Sequence, residues 1–264
     1  MKDKIKISVI TVCYNAVDVI EETIRSVLKQ TYRDLEYIIV DGQSNDGTSD
    51  VIRRYEADAG VRYISEPDNG IYDAMNKGSM LAGGDYIQFL NAGDVFADEL
   101  VIEKIVAGLE KTNVDVLYGN IIYRYPDGST NIRVYGQFCS SLFYYLLGDC
   151  INHQAIFTRR ECFLKHRFDL SYQVCADREW MIRLKKDGYR FEALDVIVCE
   201  YSLDENSVSI RNGDIYFEEA ARCVREHLKT GYWLYLLIDR IRHGKLSSSM
   251  LHGLYQIVFL RRKH

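Results

Sequence analysis

The stretch that decides the fold lies near the start of the chain: Ile5-Lys6-Ile7-Ser8-Val9-Ile10-Thr11-Val12. This apolar run is rich in β-branched residues and predicts a strand. Further strand-like and helix-like segments alternate after it over the first 90 residues: Val19–Leu28 (helix), Leu35–Val40 (strand), Thr48–Tyr55 (helix), Tyr72–Leu81 (helix) and Tyr86–Leu90 (strand). The alternation predicts an α/β fold with a single, mainly parallel mixed sheet flanked by helices.

The second half of the chain has weaker signals. Residues 115–125 and 130–135 flank Pro126-Asp127-Gly128 and predict a β-hairpin. Three more elements follow, namely a helix at Asp177–Lys186, a strand at Phe191–Tyr201 and a helix at Tyr216–Lys229. We therefore expect one catalytic domain over residues 1–228 and a helical C-terminal extension over residues 229–264.

Composition narrows the class of protein. The chain has 264 residues, 47% of them apolar and 27% charged, which is typical of a globular protein. It contains no uncharged apolar run of 18 residues, and its first residues lack the pattern of a signal peptide. Its seven cysteines include no C-x-x-C pair. Reduced thiols in a cytoplasmic protein are therefore expected, rather than a zinc cluster or a disulfide scaffold.

The net charge of −5 is unevenly distributed. Residues 229–264 contain seven Lys or Arg and one acid, which gives +6, whereas the remaining 228 residues carry −11. Because the acidic body repels a phosphate backbone, we expect no nucleic-acid partner.

Polar residues follow two of the predicted strands. Thr11-Val12-Cys13-Tyr14-Asn15 ends the first, where a small polar residue and an amide are suited to a base or a ribose. The alternative for Asn15 is that it caps the next helix. Asp41 ends the second strand, where a carboxylate is costly unless it is paired or binds a ligand.

These segments belong to an ordered series of motifs. Asp41-Gly42-Gln43-Ser44-Asn45-Asp46-Gly47-Thr48 is followed by Ser65-Glu66-Pro67-Asp68-Asn69-Gly70-Ile71-Tyr72-Asp73-Ala74-Met75-Asn76-Lys77-Gly78 and by Gly84-Asp85-Tyr86-Ile87-Gln88-Phe89-Leu90-Asn91-Ala92-Gly93-Asp94. Asn152-His153-Gln154 and Ala176-Asp177-Arg178-Glu179-Trp180 come later. Together with the opening strand, the series resembles the family-2 glycosyltransferases over residues 5–205, and most closely the bacterial branch that builds capsule, O-antigen and exopolysaccharide.

The resemblance implies a fold of the GT-A type and inverting transfer of a sugar from a nucleotide-diphospho-sugar, for which a UDP-linked donor is expected. It implies a lipid-linked (polyprenyl) or saccharide acceptor and a divalent metal, Mn²⁺ or Mg²⁺. The residues it places at the donor are Thr11, Cys13, Tyr14, Asn15, Asp41, Ser44, Asp68, Lys77, Asn91 and Ala92. A lysine beside a departing diphosphate would stabilise its charge, although Lys77 also suits a solvated surface position.

One departure from the family pattern concerns the metal. The family usually carries Asp-x-Asp or Asp-x-Asp-Asp after this strand, whereas here the segment reads Asn91-Ala92-Gly93-Asp94. Asp94 is therefore the expected metal ligand. A single acid is compatible with Mg²⁺, which is commonly held by one or two carboxylates plus phosphate oxygens.

Three residues are expected to be catalytic. The resemblance gives Asp177 the role of general base, with Glu179 in reserve, and the alternative for Asp177 is a helix N-cap. His153 coincides with a family motif and suits contact with the acceptor or a phosphate, or a purely structural role.

The basic C-terminal extension contains two short apolar, aromatic-rich segments, Tyr232–Ile238 and Met250–Leu260. They are too short to span a bilayer but are suited to its interface, so a peripheral position at the inner face of the cell membrane, on an anionic surface, is expected. Alternatively, the extension packs on the domain or on a second copy of the chain in a homodimer.

Two other functions remain open at this point. One is nucleotidyl transfer to a sugar phosphate, although Cys13–Asp18 lacks the Gly-rich, basic loop that this reaction normally uses. The other is a non-catalytic nucleotide-sugar-binding scaffold in a polysaccharide assembly complex. Gly93, at a position where the family usually has an acid, would suit this function.

Overall fold

The computed structural model describes residues 4–147, 149–203 and 211–242. Its strands are β1 (Ile7–Cys13), β2 (Leu35–Asp41), β3 (Arg62–Ser65), β4 (Tyr86–Phe89), β5 (Val95–Phe96), β6 (Val116–Arg124), β7 (Thr130–Arg133), β8 (Ile156–Arg159) and β9 (Phe191–Ser202). Its helices are α1 (Ile20–Leu28), α2 (Thr48–Ala59), α3 (Ile71–Leu81), α4 (Val101–Thr112), α5 (Leu142–Leu146), α6 (Arg160–Lys165), α7 (Ala176–Lys186), α8 (Gly213–His227) and α9 (Tyr232–Arg242).

Strand β1 is at the centre of a parallel half-sheet. The order in this half is β3-β2-β1-β4, and all three pairings are parallel. All seven residues of β1 are buried because helices cover both faces of the sheet. The predicted alternation of strand and helix is confirmed here, and the carboxyl ends of β1, β2 and β4 lie at one edge.

The other half of the sheet is mixed. Strand β8 runs antiparallel to β4 and to β6, and β9 runs parallel to β6 and antiparallel to β5. Strands β6 and β7 pair antiparallel, so the predicted hairpin is confirmed. Most residue pairs across the sheet are parallel, as expected. Strands β3, β5 and β8 and helix α4 lie in segments where the sequence pattern did not indicate them.

Helix α3 approaches the sheet closely at Gly78. A Cβ atom placed there would stand 2.5 Å from Cγ2 of Ile10 on β1 and 3.2 Å from Cγ2 of Val40 on β2. Both side chains are buried and cannot withdraw into solvent. Glycine therefore sets the distance between α3 and the sheet.

A buried carboxylate of helix α8 contacts the body of the domain. The side chain of Glu219 is buried and accepts hydrogen bonds from the backbone N–H groups of Gln173, Val174 and Cys175, at 2.7 to 2.9 Å. These three residues immediately precede α7. The position of α8 is thus coupled to the start of α7.

The predicted C-terminal extension is helical where the structure describes it, since α9 follows α8 after a short turn at Lys229–Gly231. The segment Met250–Leu260 and the basic residues after it lie outside the described residues. A division of the chain at residue 228 stays a prediction. No helix within 4–147, 149–203 and 211–242 combines the length and the hydropathy that crossing a membrane requires.

We expect Gly78→Val to lower the free energy of unfolding by about 3 kcal/mol, because its side chain has to displace Ile10 and Val40 in a close-packed core. Gly136→Val is the matched control, since Gly136 is exposed, has an ordinary φ of −76° and has no atom within 4 Å of the added Cβ. The control should remain within about 0.5 kcal/mol of the parent chain. Urea unfolding of both variants measures the difference, and equal stabilities would contradict the close approach.

Candidate active site

A cleft of about 980 Å³ opens at the carboxyl edge of β1 and β4. It has two halves. The first is lined by the end of β1, the loop before α3 and the turn after β4, and includes Cys13, Tyr14, Asn15, Asp68, Asn91, Ala92, Gly93 and Asp94. The second is lined by residues from the start of β8 and α7 and from neighbouring segments, including Cys150, His153, Gln154, Cys175, Asp177, Arg178 and Tyr216.

Three of the predicted donor residues, Cys13, Tyr14 and Asn15, line the cleft at the end of β1. Tyr14 is 63% exposed, so its ring is available to stack on a ligand. Asn15 has a left-handed φ of 48°, and its Oδ1 accepts a hydrogen bond from the backbone N–H of Asn45. It does not cap α1, which begins five residues later. Burial raises the pKa of the Cys13 thiol far above its usual range, so Cys13 is a neutral, small lining residue.

The prediction for Thr11 was wrong in position. Its side chain is completely buried and its Oγ1 lies 3.0 Å from the hydroxyl oxygen of Tyr37. Side chains alternate between the two faces of a strand, so Thr11 and Cys13 share a face, but only Cys13 lies at the edge. Thr11 supports the sheet beneath the cleft.

Asp41 is also not free for a ligand, which corrects the prediction that it holds the base. Its carboxylate is completely buried and accepts hydrogen bonds from the hydroxyl groups of Ser44, Ser49, Tyr63 and Ser65. These four hydroxyl groups compensate the buried negative charge of Asp41, for which the sequence alone showed no partner. Ser44, likewise outside the cleft, accepts a 2.8 Å hydrogen bond from the N–H of Asn15 and so connects Asp41 to the first half of the cleft.

Asp68 and Lys77 lie close in sequence but differ in position. Asp68 lines the cleft, and its Oδ1 accepts a 2.8 Å hydrogen bond from the N–H of Gly70 at the start of α3. Lys77 does not line the cleft. Its Nζ donates to the carbonyl of Pro67 at 2.6 Å and forms ion pairs with Glu66 and Asp73. The predicted contact of Lys77 with the diphosphate is therefore not present in this arrangement.

The turn after β4 explains the departure from the acidic motif. Gly93 has a φ of +95°, a conformation that favours glycine over aspartate. The turn is fixed by hydrogen bonds from the N–H of Gly93 to Oγ1 of Thr23 and from the N–H of Asp94 to the carbonyl of Asn91. Asn91, Ala92 and Asp94 all line the cleft, and their roles toward the donor and a metal stay predictions.

Asp94 is a carboxylate held almost out of solvent, with 3% of its surface exposed. Burial raises its pKa to about 7, although the hydrogen bond from Gln154 and the nearby His153 act to lower it. The Nε2 of Gln154 donates to Oδ2 at 3.0 Å, and the N–H of Ser202 donates to Oδ1 at 3.2 Å. A cation in the cleft would therefore stabilise the ionised form.

His153 connects the two halves of the cleft. Its Nε2 lies 2.9 Å from Nδ2 of Asn91, and its Nδ1 lies 3.2 Å from Oδ2 of Asp177. In this orientation of the Asn91 amide, Asn91 donates to Nε2, so the imidazole proton is on Nδ1 and is donated to Asp177. The side chains of His153 and Asp177 are each 15% exposed, so the carboxylate is accessible from the cleft.

Asp177 is not a helix N-cap. Helix α7 begins at Ala176, and the residue at the cap position is Cys175. Asp177 therefore lies in the first helical turn, where its Oδ1 accepts a 3.2 Å hydrogen bond from the hydroxyl group of Tyr72. A carboxylate at a helix N-terminus is favoured by the helix dipole.

The structure does not bring Glu179 to the cleft, which corrects its role as a reserve base. Its carboxylate is 3% exposed, forms an ion pair with Arg183 at 2.9 Å and accepts a hydrogen bond from His227 at 3.0 Å. Burial acts to raise the pKa of Glu179, but the hydrogen bonds from His227 and Arg183 outweigh it and hold the pKa below its usual value. Glu179 joins α7 to α8.

Several lining residues had no predicted role. Tyr72 and Gln154 stood inside quoted motifs, but nothing in those motifs showed that one contacts Asp177 and the other Asp94. Ser202 comes from the end of β9, more than 100 residues after Asp94, and no local signal could have found it. Arg178 is completely buried, an outcome that its charge did not indicate.

The oxygen atoms around Asp94 fit a hard divalent cation. Asn91 Oδ1 is a buried oxygen with no hydrogen-bond partner in the described part of the chain, and it belongs to the same turn as the Asp94 carboxylate. Among residues 4–147, 149–203 and 211–242, no three His, Cys, Asp or Glu side chains group as metal ligands. The set suits a cation that takes its other ligands from phosphate oxygens and water.

Comparison with known proteins identifies the family. The model of glycosyl transferase family 2 matches residues 8–171, which is more than half of the chain. The chain belongs to glycosyltransferase family 2. A PGL/p-HBAD biosynthesis glycosyltransferase of Mycobacterium bovis is 35% identical over 200 residues, which cover 74% of this chain and 76% of the relative. The chain is thus a glycosyltransferase, as predicted.

Solved structures agree in fold. The S. aureus TarS fragment 1–349, in complex with UDP, has a TM-score of 0.65 and 18% identity, over 84% of this chain and 65% of that fragment. The mannosyltransferase PcManGT of Pyrobaculum calidifontis, in complex with GDP-Man and Mn²⁺, has a TM-score of 0.64 and 16% identity, over 98% of this chain and 81% of PcManGT. The glycosyltransferase therefore has the GT-A-type fold that was predicted.

We expect Glu179→Gln to destabilise the glycosyltransferase by about 2 kcal/mol at pH 6, because it leaves Arg183 and His227 without their buried partner. The folded-state pKa of Glu179 is lowered, so its contribution is present above the unfolded pKa of about 4.3 and is lost as the pH falls through the folded value. Unfolding free energies of the parent and the variant should therefore converge between pH 6 and pH 3. A variant that keeps its stability but loses sugar transfer would restore Glu179 as the base.

Proposed function

We propose that this glycosyltransferase transfers a sugar, with inversion at the anomeric carbon, from a nucleotide-diphospho-sugar to a hydroxyl group of a lipid-linked or saccharide acceptor. The observation that carries the proposal is the His153 bridge, which holds the Asp177 carboxylate opposite the turn that bears Asn91 and Asp94. A base and a cation-binding group on facing sides of one cleft are what an inverting displacement uses.

The donor would occupy the half of the cleft that begins at the end of β1. The exposed ring of Tyr14 provides a stacking surface for a base, and Asn15 and Asp68 provide polar groups beside it. TarS was solved with UDP and PcManGT with GDP-Man, so relatives of this fold bind different nucleotides. We propose a UDP-linked donor.

The reaction would be a direct displacement. One oxygen of Asp177 accepts the proton of the acceptor hydroxyl group. The oxygen of that hydroxyl group forms the bond to the anomeric carbon. At the same time the bond from that carbon to the diphosphate breaks, and the diphosphate leaves with the electron pair. His153 fixes the rotamer of Asp177 by donating its Nδ1 proton to Oδ2.

The leaving group would depart toward the turn after β4. Asp94 and Asn91 are the residues that would hold Mn²⁺ or Mg²⁺ there, through a carboxylate oxygen and the unpartnered Oδ1. When bound, the metal supplies positive charge to the departing diphosphate. Gln154 and Ser202 keep the Asp94 carboxylate oriented toward this position by donating to its two oxygens.

A peripheral position at the inner face of the cell membrane fits the surface around α5 and α9, and would bring the enzyme to a lipid-linked acceptor in bacterial surface-polysaccharide synthesis. Phe138, Phe143, Trp233 and Leu236 are all large, apolar and 37% to 66% exposed, and we call them the apolar rim. The rings of Phe138 and Phe143 are 6.2 Å apart, and α9 contacts α5. The net charge of +6 over residues 229–264 complements an anionic bilayer.

Variants of Asp94 and Asp177 should separate donor binding from transfer. With Mn²⁺ and a UDP-sugar at 100 times its dissociation constant, the parent enzyme should gain about 2.7 kcal/mol of stability. Asp94→Asn should lose most of this gain, because the metal loses its carboxylate. Asp177→Asn should keep the gain but lose at least about 100-fold in transfer rate. Thermal unfolding and donor turnover measure the two effects.

Glu103→Gln is the control for both variants, because Glu103 is exposed on α4 outside the cleft. It should behave like the parent enzyme in both assays. Full activity in the Asp94 and Asp177 variants would refute the site. Metal-dependent donor binding by the parent, without turnover on any saccharide or polyprenyl-linked acceptor, would favour the scaffold function.

Replacing Phe143 and Trp233 together by alanine should weaken binding to phosphatidylglycerol vesicles at least about tenfold. The reason is that the variant lacks two aromatic side chains that would enter the bilayer interface. Binding by the parent enzyme should also fall as salt rises. Co-sedimentation with vesicles measures both effects, and Met80→Ala, which removes an exposed apolar side chain from α3, is the control. Equal binding of the double variant and the parent would show that the apolar rim does not contribute to membrane binding.

A further inference from the structure

Arg178 is a buried cation with unused hydrogen-bond donors. Only 1% of the residue is exposed, although it lines the cleft. Its Nη2 donates to the backbone carbonyl of Tyr145, whereas Nε and Nη1 are buried and have no hydrogen-bond partner among the residues that the structure describes. A guanidinium remains charged at any physiological pH, so these donors cannot be relieved by loss of a proton.

No carboxylate among the described residues compensates this charge, since none forms an ion pair with Arg178 within 4 Å. The polar neighbours that interact most strongly with it are Cys150, Tyr216, Cys223 and Cys175. Burial raises the pKa of the thiols of Cys150 and Cys175, so both are neutral at physiological pH. Among the described residues, the guanidinium therefore lies next to neutral thiols, and the Asp177 carboxylate that acts on the same thiols forms no ion pair with it.

Such a charge is costly without a partner. An uncompensated buried ion lowers stability by several kcal/mol, and natural proteins normally pair it or neutralise it. Arg178 cannot be neutralised, and it is a lining residue of a ligand cleft. An anion that enters the cleft would recover this cost and would be bound by charge-assisted hydrogen bonds.

The position of Arg178 indicates which half of the cleft the anion would occupy. Arg178 follows Asp177 directly, and its neighbours Cys150 and Tyr216 line the second half of the cleft. The donor residues at the end of β1 and the turn after β4 line the first half. The His153 bridge lies between the two. The anion therefore lies beyond the base, where the acceptor must approach.

We propose that Arg178 binds an anionic group, a phosphate or a carboxylate, on the sugar acceptor, and so selects acidic acceptors over neutral ones. This inference rests on the proposed function, because it takes Asp177 as the base. The anionic group would accept hydrogen bonds from Nε and Nη1, which would hold the acceptor hydroxyl beside Asp177. A diphosphate linkage to a polyprenol and the carboxylate of a uronic acid are the two sources of this chemistry.

The test compares three acceptors that share a free sugar hydroxyl: octyl N-acetylglucosaminide, which is neutral, octyl glucuronide, and N-acetylglucosaminyl-diphospho-undecaprenol. We expect the parent enzyme to prefer one of the anionic acceptors by at least about 10-fold in kcat/KM. Which of the two anionic acceptors is preferred shows whether the bound group is a phosphate or a carboxylate. In Arg178→Met this preference should vanish, and Arg178→Lys should restore part of it because the positive charge returns. Arg54→Met, which changes an exposed arginine on α2, should keep the full preference.

A parent enzyme without preference for either anionic acceptor, or an Arg178→Met enzyme that keeps the preference, would overturn the proposal. Inorganic phosphate provides a second measurement that needs no turnover. It should raise the thermal stability of the parent more than that of Arg178→Lys, in which one compact ammonium replaces the guanidinium donors, and an equal effect would also overturn the proposal. If donor turnover itself is absent in the parent while the phosphate difference is present, the proposed function fails and the anion site remains.

Discussion

The antiparallel pairing of β8 with β4 is the constraint on which the site depends. It places the start of β8 beside the end of β4, so the turn that carries His153 and Gln154 lies next to the turn that carries Asn91 and Asp94. The Nε2 of Gln88 strengthens this junction by donating to the carbonyl of Gln154 at 2.9 Å. Without this register, the Asp94 carboxylate would lose its hydrogen bond from Gln154. Asp177 would also lose its connection through His153 to the first half of the cleft.

The cleft contains two buried ionisable groups of opposite sign, and neither forms an ion pair with another residue in the described part of the chain. Asp94 accepts hydrogen bonds from two neutral groups, and burial raises its pKa to about 7. Arg178 has only a backbone carbonyl for Nη2. Glu179, one residue further along α7, is equally buried but is paired with Arg183 and His227. This contrast separates a structural ion pair from charges that are suited to ligands.

Parts of the site could be predicted because their signals are local. Cys13, Tyr14, Asn15 and the turn from Asn91 to Asp94 follow parallel strands, and the carboxyl ends of such strands meet at one edge. The errors have one physical cause. Thr11, Asp41 and Lys77 have the expected residue types at the expected spacing, but each finds its partner inside the protein: a tyrosine hydroxyl, four hydroxyl groups, and two carboxylates with a carbonyl.

The sequence by itself determined the α/β class, the hairpin at residues 115–135, the family, and the order in which acids and amides follow the strands. These properties depend on period, turn chemistry and motif spacing, which act within short segments. Only the tertiary structure decided which polar groups are available to a ligand. A carboxylate or a guanidinium is available when no donor or acceptor from a distant segment satisfies it, and Ser202 beside Asp94, or Tyr145 beside Arg178, enters only through the folded packing of the chain.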